Sequence, residues 1–538
     1  MERGGRRKRA AALLGGAAFS LMTAIGWQME RQGTCRLPAA LLAAALLTIP
    51  AAALLAFCYE GRWKRLIPVR LRAFPQGEGP YRTGRAAALL LACWLPMLAV
   101  TFPGSFAYDA PFQIRQVMTG AYSTHHPLLH TLLLGGCTAL GRALGSITLG
   151  AALYTLVQMA LLAGCFALTG ASIARRCGGR SARRALLCFA LYPLHMLMAV
   201  NATKDVLFGG FFALTLALAI ELAEGGEGRG LAAGLTVSGA LAMLLRNNAV
   251  YAAAVWAALL IPACLCAGRR ARAPLRRRLA LPACALAAIA LSLSTNALLA
   301  AATGAQKGDA REMLSWPIQQ LARARLMDAD RLSEEEKQAI DELMPGEAWR
   351  DYDPTVSDPV KFAFDTEKLS EDPGRYLRVY LSVGRKCAGT FLDAAAALAY
   401  PFFYPYSEYR VSGYYLQMGV SMEQLEQWCD FDWIESRSLA PRVQASLSWR
   451  FGAKGAMQLP GIGWLFNTGA IVWVMLALTL REAYFGRWRR FWVCALPVLL
   501  WGTYLLGPVM AGRYIYPFVC ALPVMACRAA RGQGEERR

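Results

Sequence analysis

The chain has 538 residues, 56% of them hydrophobic, with a mean hydropathy of +0.33 and a formal net charge of +21. So much apolar side chain exceeds what a soluble core of this length needs, which excludes an ordinary soluble protein and leaves a polytopic membrane protein. The positive charge sits in short connections between apolar runs, the pattern of cytoplasmic loops, and so gives no support for a nucleic-acid partner.

In chain order, apolar windows fall at 11–27, 38–58, 86–103, 147–172, 185–200, 206–223, 231–246, 250–268, 279–301, 461–480, 491–511 and 513–530. Several approach the ~20 residues that cross hydrocarbon, so an all-α protein with about twelve transmembrane helices is expected. The first run follows MERGGRRKR, lacks a clear cleavage site and is followed almost at once by a second run, so it reads as a retained helix. Residues 1–85 are therefore two N-terminal transmembrane helices and a basic cytoplasmic linker. Residues 86–301 form a transmembrane core with a first outer loop at 103–146, and 461–538 supply the last transmembrane helices and a cytoplasmic tail.

Placing GRRKR, the 59–85 linker, RRCGGRSARR, RRARAPLRRR, REAYFGRWRR and the tail in the cytoplasm puts both termini inside a cytoplasmic membrane. This requires the apolar stretch 127–145 to lie in the interface or re-enter. The segment 302–460 carries 24 acidic against 18 basic residues while the remainder carries +27, which marks it as a mostly helical extracytoplasmic domain. Helical periodicity runs through 311–327 and 373–399, and RLSEEEKQAIDELMPG predicts a helix with a Ser333/Glu336 capping box and a Pro-Gly stop. The Tyr-rich run 400–410 suits either an interfacial surface or an aromatic packing cluster.

Most of the 15 cysteines lie inside apolar runs, where Cys behaves as a small hydrophobe. Cys35, Cys137, Cys387 and Cys429 fall on the outer side without a zinc or redox spacing; one bridge among them is possible and not predicted. There is no P-loop, dinucleotide fingerprint or HExxH, so soluble nucleotide chemistry is unsupported.

Ionisable residues gather instead at the outer ends of helices. Asp109 lies in the first outer loop, ahead of three of the chain's four histidines, His125, His126 and His130. It can serve as a general base, as a metal ligand, or as the N-cap of a helix opened by Pro111, and these roles can coexist. His126 and His130, four apart beyond Pro127, can hold a divalent metal with Asp109, donate to a phosphate, or simply bond water and headgroups. His195, inside an apolar run, reads as a core residue. Lys204 and Asp205 emerge together at a boundary, either as a self-neutralising pair or with the lysine on a phosphate and the aspartate at the reaction centre. Arg246, Asn247 and Asn248 offer a guanidinium fork and two amides for phosphate or sugar hydroxyls, unless Arg246 only snorkels. Arg513 is either a headgroup anchor or a further cation of the same site.

Asp109 in the first outer loop, HHPLLHTLLLG after it, the Lys204-Asp205 pair and the late extracytoplasmic segment together resemble GT-C glycosyltransferases, membrane enzymes that take a sugar from a polyprenyl-phosphate carrier. More narrowly, PGSFAYDAPFQIRQ, HHPLLHTLLLG, NATKD, RNNAVYA, SWPIQQLAR and RYIYP are similar to an uncharacterised bacterial multi-pass family related to those enzymes. The resemblance implies that Asp109 activates the acceptor, that Asp205 is a second acidic residue, and that Lys204, Arg246 or Arg513 contacts the carrier phosphate. It implies as partners a lipid-linked sugar donor and a cell-envelope glycan, lipid or protein acceptor, with the active site facing outside. The competing reading is a transporter or flippase for an anionic lipid or sugar, in which the same groups relay protons or form gating pairs. A scaffold for polymer assembly is a third.

Overall fold

A computed structural model describes residues 2–62, 80–106, 109–268, 274–407, 434–435, 437–447, 461 and 463–527. Outside these lie most of the basic linker, part of RRARAPLRRR, the C-terminal tail, Cys429 and two stretches of the acidic segment, 408–433 and 448–460. From the N-terminus the chain runs α1 (Glu2–Gln32), α2 (Leu37–Tyr59), α3 (Thr83–Thr101), β1 (Ser105–Phe106), α4 (Asp109–Thr119), α5 (Leu128–Ala143), α6 (Ile147–Cys177), α7 (Gly179–Leu191), α8 (Pro193–Ala199), β2 (Asn201–Ala202), α9 (Lys204–Ala223), α10 (Arg229–Leu245), α11 (Ala249–Gly268) and α12 (Leu275–Thr303). There follow α13 (Ser315–Met327), α14 (Glu334–Leu343), α15 (Asp358–Ala363), α16 (Thr366–Glu371), α17 (Pro373–Lys386), α18 (Ala388–Ala399), α19 (Pro441–Leu447), α20 (Thr468–Tyr484), α21 (Trp488–Leu505) and α22 (Tyr516–Ala526).

Among the described residues, seven helices are long and apolar enough to cross a membrane: Gly4–Gln32, α2, α3, α6, α9, Ala249–Cys266 and α12. Of the other five windows read from the sequence, four form helices under 18 residues, and 491–511 forms the 18-residue Trp488–Leu505, which carries Arg489 and Arg490 in its first turn and is less apolar. The 185–200 window breaks at Tyr192, which is extended (φ −67, ψ 120) ahead of Pro193. Proline has no N–H to continue the ladder and excludes its predecessor from helical backbone. The 231–246 window gives the 17-residue α10. The 461–480 window starts only at Thr468, where the Asn467 side chain accepts from Ala470 N at 2.8 Å and caps α20. The last two windows become α21 and α22, separated by a 3-10 turn at Gly512–Ile515. The 127–145 stretch forms α5, only 16 residues long and packed on α4 and α6.

The bundle is organised around α9, which is buried along most of its length and packs on α6, α10 and α22. Small residues let backbones approach. A Cβ on Gly16 of α1 would stand 2.7 Å from the Ala52 nitrogen of α2, so that hairpin depends on glycine at this position. The 302–460 segment has its own core, where Ile318 and Leu321 of α13 meet Ile340 and Leu343 of α14, Val360 of α15 and Val383 of α17. Its predicted capping box is present, with Ser333 Oγ accepting from Glu336 N and Glu336 Oε2 accepting from Ser333 N. The predicted 373–399 helix is two helices, α17 and α18, because Cys387 leaves the helical region (φ −116, ψ 39). Cys35, Cys137 and Cys387 are free thiols.

The two ends of α9 differ chemically. At its C-terminal end Arg175 lies 2.6 Å from Glu221, and Arg176 and Arg490 lie 3.3 and 3.1 Å from Glu224. At its N-terminal end stand Lys204 and Asp205. The 20 residues between span about 30 Å at 1.5 Å each, the thickness of a hydrocarbon core.

One short clasp positions the chemistry. β1 and β2 pair in parallel, Ser105 with Asn201 and Phe106 with Ala202, and Ser105 N donates to Val200 O at 2.8 Å. Gly104 makes the approach possible at φ +135, and a Cβ there would meet Thr155 Oγ1 at 2.5 Å and Val200 O at 3.1 Å. Gly104→Ala is therefore expected to lower stability by about 1–3 kcal/mol, read as a reduced denaturant midpoint in detergent. An unchanged midpoint would show that the clasp contributes little.

Candidate functional site

The clasp brings the first turn of α4 beside the first turn of α9. Lys204 Nζ donates to Asp109 Oδ2 at 2.6 Å, and Arg513, from the 3-10 turn before α22, approaches the same oxygen at 3.4 Å. Arg513 Nε lies 3.2 Å from Asp205 Oδ2, and Arg246, which caps the C-terminus of α10, donates to Asp205 Oδ1. The five groups alternate in sign: Lys204, Asp109, Arg513, Asp205, Arg246. Three cations thus meet two carboxylates.

Exposure grades along the row. Asp205 is fully buried, the Arg246 and Arg513 side chains are 9% exposed, and Lys204 and Asp109 reach 15% and 17% at the mouth. Arg246 is fixed by three further contacts. Its guanidinium stacks over Tyr504 and Tyr514, with 4.5 and 4.3 Å to the ring centroids, and Nε donates to Asn248 Oδ1 at 3.1 Å. Asn248 Nδ2 in turn donates to Thr503 Oγ1 at 2.8 Å.

The histidines divide by role. His126 is buried with Nδ1 3.4 Å from Lys204 Nζ, so it belongs to the cluster, and the exposed His125 packs edge-on against it at 4.5 Å. His130 is fully buried, with Nδ1 3.0 Å from Gln113 Oε1 and Nε2 2.7 Å from Tyr154 Oη. Gln158, bonded by Tyr154, donates its amide to the carbonyls of Ala199 and Asn201 at 3.1 and 2.9 Å. His130 thus sits in a chain that supports the backbone of β2. Asn247 turns to the Thr124 carbonyl at 3.3 Å, away from the cations. His195 is buried among Phe166, Phe189 and Tyr516 in the core.

Burial works to raise the Asp109 carboxyl, but Lys204 and Arg513 outweigh it and hold it well below the usual carboxylate range. Asp109 is therefore an ionised, weak base while those cations remain on it. Burial, then the Lys204 charge, pushes His126 down to about 3, and burial does the same for His130. Both imidazoles are neutral at pH 7. Their folded pKa lies below the unfolded value near ~6.5. The unfolded chain then binds more protons between those values, so stability is full above about pH 6.5 and declines as pH falls toward 3. Thermal midpoints are expected to drop from pH 7 to pH 4.5, and less steeply in His126→Gln/His130→Gln. Parallel declines in the two proteins would contradict this assignment.

The donor set does not fit a divalent metal. Among the described residues no three His, Cys, Asp or Glu side chains converge, both His130 nitrogens are engaged elsewhere, and Asp109 already faces two cations.

Sequence reasoning missed Tyr504, Tyr514, Tyr154, Gln158 and Gln113. Tyr514 carried a signal as the neighbour of Arg513 in GRYIYPF, whereas Tyr504 and Gln158 sit in apolar runs with none.

Fold and site together give a helical bundle whose apolar helices suggest a membrane protein, with a carboxylate–cation row at one end. The chain belongs to a family of unknown function, DUF6020, whose profile matches residues 118–538 and so takes in Lys204, Asp205, Arg246 and Arg513 while starting after Asp109. No curated protein and no solved structure matches it.

Proposed function

We propose that the protein is a membrane glycosyltransferase of GT-C type that moves a sugar from a polyprenyl-phosphate carrier to an acceptor hydroxyl outside the cytoplasmic membrane. The observation that carries this reading is the gathering of Lys204, Arg513 and Arg246 around Asp109 and Asp205 at one end of the bundle, with Lys204 and Asp109 at its mouth. Preorganised cations of this kind stabilise the charge that develops on a departing phosphate. Below the row, Phe208 and Phe212 of α9, Met243 of α10, Trp256 of α11 and Leu500 of α21 line a narrow apolar slot, suited to an isoprenoid tail.

The chemistry balances with these residues alone. The acceptor oxygen forms a bond to the anomeric carbon while the bond from that carbon to the phosphate oxygen breaks, and the phosphate leaves with the electron pair. Lys204 and Arg513 stabilise the leaving phosphate, and Asp109 takes the hydroxyl proton. The arriving phosphate draws the two cations off Asp109, which restores the basicity that they suppress. The reading includes twelve crossings with both termini cytoplasmic, counting α10, α20, α21, α22 and the broken α7–α8 as spans. The row and the 302–460 segment then lie outside.

The test uses the full chain in lipid with a panel of polyprenyl-phosphate sugars, following release of free polyprenyl phosphate. Release with at least one donor is expected. Movement of lipid or sugar between leaflets without release from any donor would replace the enzyme by a transporter.

A further inference from the structure

At the far end of α9 from the charged row, a cavity of about 330 Å3 opens between α9, α11, α12 and α21. Its rim carries Arg277 and Arg278 from the first turn of α12 and Arg489 from the first turn of α21, and its wall is made by Leu260, Leu281 and Trp492. Glu224 also lines it, but that carboxylate is held by Arg176 at 3.3 Å and Arg490 at 3.1 Å. Glu227 is 3.0 Å from Arg277. The rim therefore gathers the guanidinium groups of Arg277, Arg278 and Arg489, with the one lining carboxylate already held by Arg176 and Arg490, which makes an anion-attracting mouth.

The wall decides what kind of anion fits. The same two helices, α11 and α12, expose Leu259, Ile261, Leu265 and Leu286. These continue the apolar lining along the outside of the bundle, and Trp488 at the rim is 47% exposed, as an interfacial tryptophan is. A soluble phosphate compound gains nothing from such a wall. We infer that the cavity binds one anionic phospholipid, its headgroup phosphate on the Arg277, Arg278 and Arg489 guanidinium groups and an acyl chain laid along Leu260, Leu281 and the outer faces of α11 and α12. The site is separate from the charged row and stands whether or not glycosyl transfer is the activity.

The test is native mass spectrometry of the purified full-length protein titrated with phosphatidylglycerol or phosphatidylcholine. Wild type is expected to retain one phosphatidylglycerol in preference to phosphatidylcholine. Arg278→Gln/Arg489→Gln is expected to reduce that preference about 30-fold, from two arginines at the membrane surface. A charge-matched pair on α7, Arg180→Gln/Arg184→Gln, is exposed at the same end outside the cavity and is expected to keep it. Three results would overturn the inference: no headgroup preference in wild type, equal loss in the α7 pair, or displacement of the lipid by millimolar inorganic phosphate. If the double variant unfolds, Arg489→Gln alone decides, since Arg489 is exposed.

Discussion

Asp109→Asn is expected to abolish release of polyprenyl phosphate to within detection, a loss of about 10²- to 10⁴-fold if proton removal is its role. The fold should survive the change. Asp109 and Lys204 lie at the mouth, 17% and 15% exposed, so the loss of their 2.6 Å contact costs less than the loss of a charge at the fully buried Asp205. A thermal midpoint close to wild type beside absent release would therefore assign the effect to chemistry. Asparagine keeps the shape and removes only the acid–base function and the charge. Phosphate binding supplies the second readout: with one carboxylate gone, Lys204 and Arg513 face the anion without a competitor. Donor binding by Asp109→Asn should be as tight as wild type or tighter while turnover is lost. Weakened donor binding with turnover of the bound donor intact would instead make Asp109 an organiser of the cations, and the base would have to be sought elsewhere.

The apolar helices that suggest a membrane protein were legible because they follow from composition and from long apolar runs. Helix lengths were less so. Hydropathy windows do not register that Pro193 ends α7 or that Asn467 starts α20 late, since both effects are local backbone chemistry. At the site, Asp109, Lys204, Asp205, Arg246 and Arg513 stood out as charges beside apolar runs, and the structure brings all five into one row. What the sequence concealed was their pairing. NATKD reads as a neighbouring Lys-Asp pair, yet Lys204 bonds Asp109 and Asp205 bonds Arg246, because adjacent helical residues point apart. His130 misled for a related reason. A spacing of four predicts one shared helix face, but α5 starts only at Leu128, so His126 stays in the preceding turn beside Lys204 while His130 is spent on Gln113 and Tyr154.

The second large effect concerns stability. Asp205 is fully buried and bonded by Arg246, itself packed against the rings of Tyr504 and Tyr514. Deleting one partner of such a pair leaves a charge in low dielectric without its counterion, at a cost of about 3–5 kcal/mol. Asp205→Asn leaves Arg246 and Arg513 side by side without the carboxylate between them and is expected to unfold at markedly lower denaturant, while Arg246→Gln leaves Asp205 still paired with Arg513 at 3.2 Å and is expected to lose less. Asp205→Asn/Arg246→Gln removes both charges and keeps hydrogen-bonding groups in place. It should recover part of the loss, giving a coupling energy of opposite sign to the single effects in a double-mutant cycle. Strictly additive losses would mean that Arg513, 3.2 Å from Asp205, is the partner that matters. The row would then be held from the α22 side, and Arg246 would be left to the phosphate.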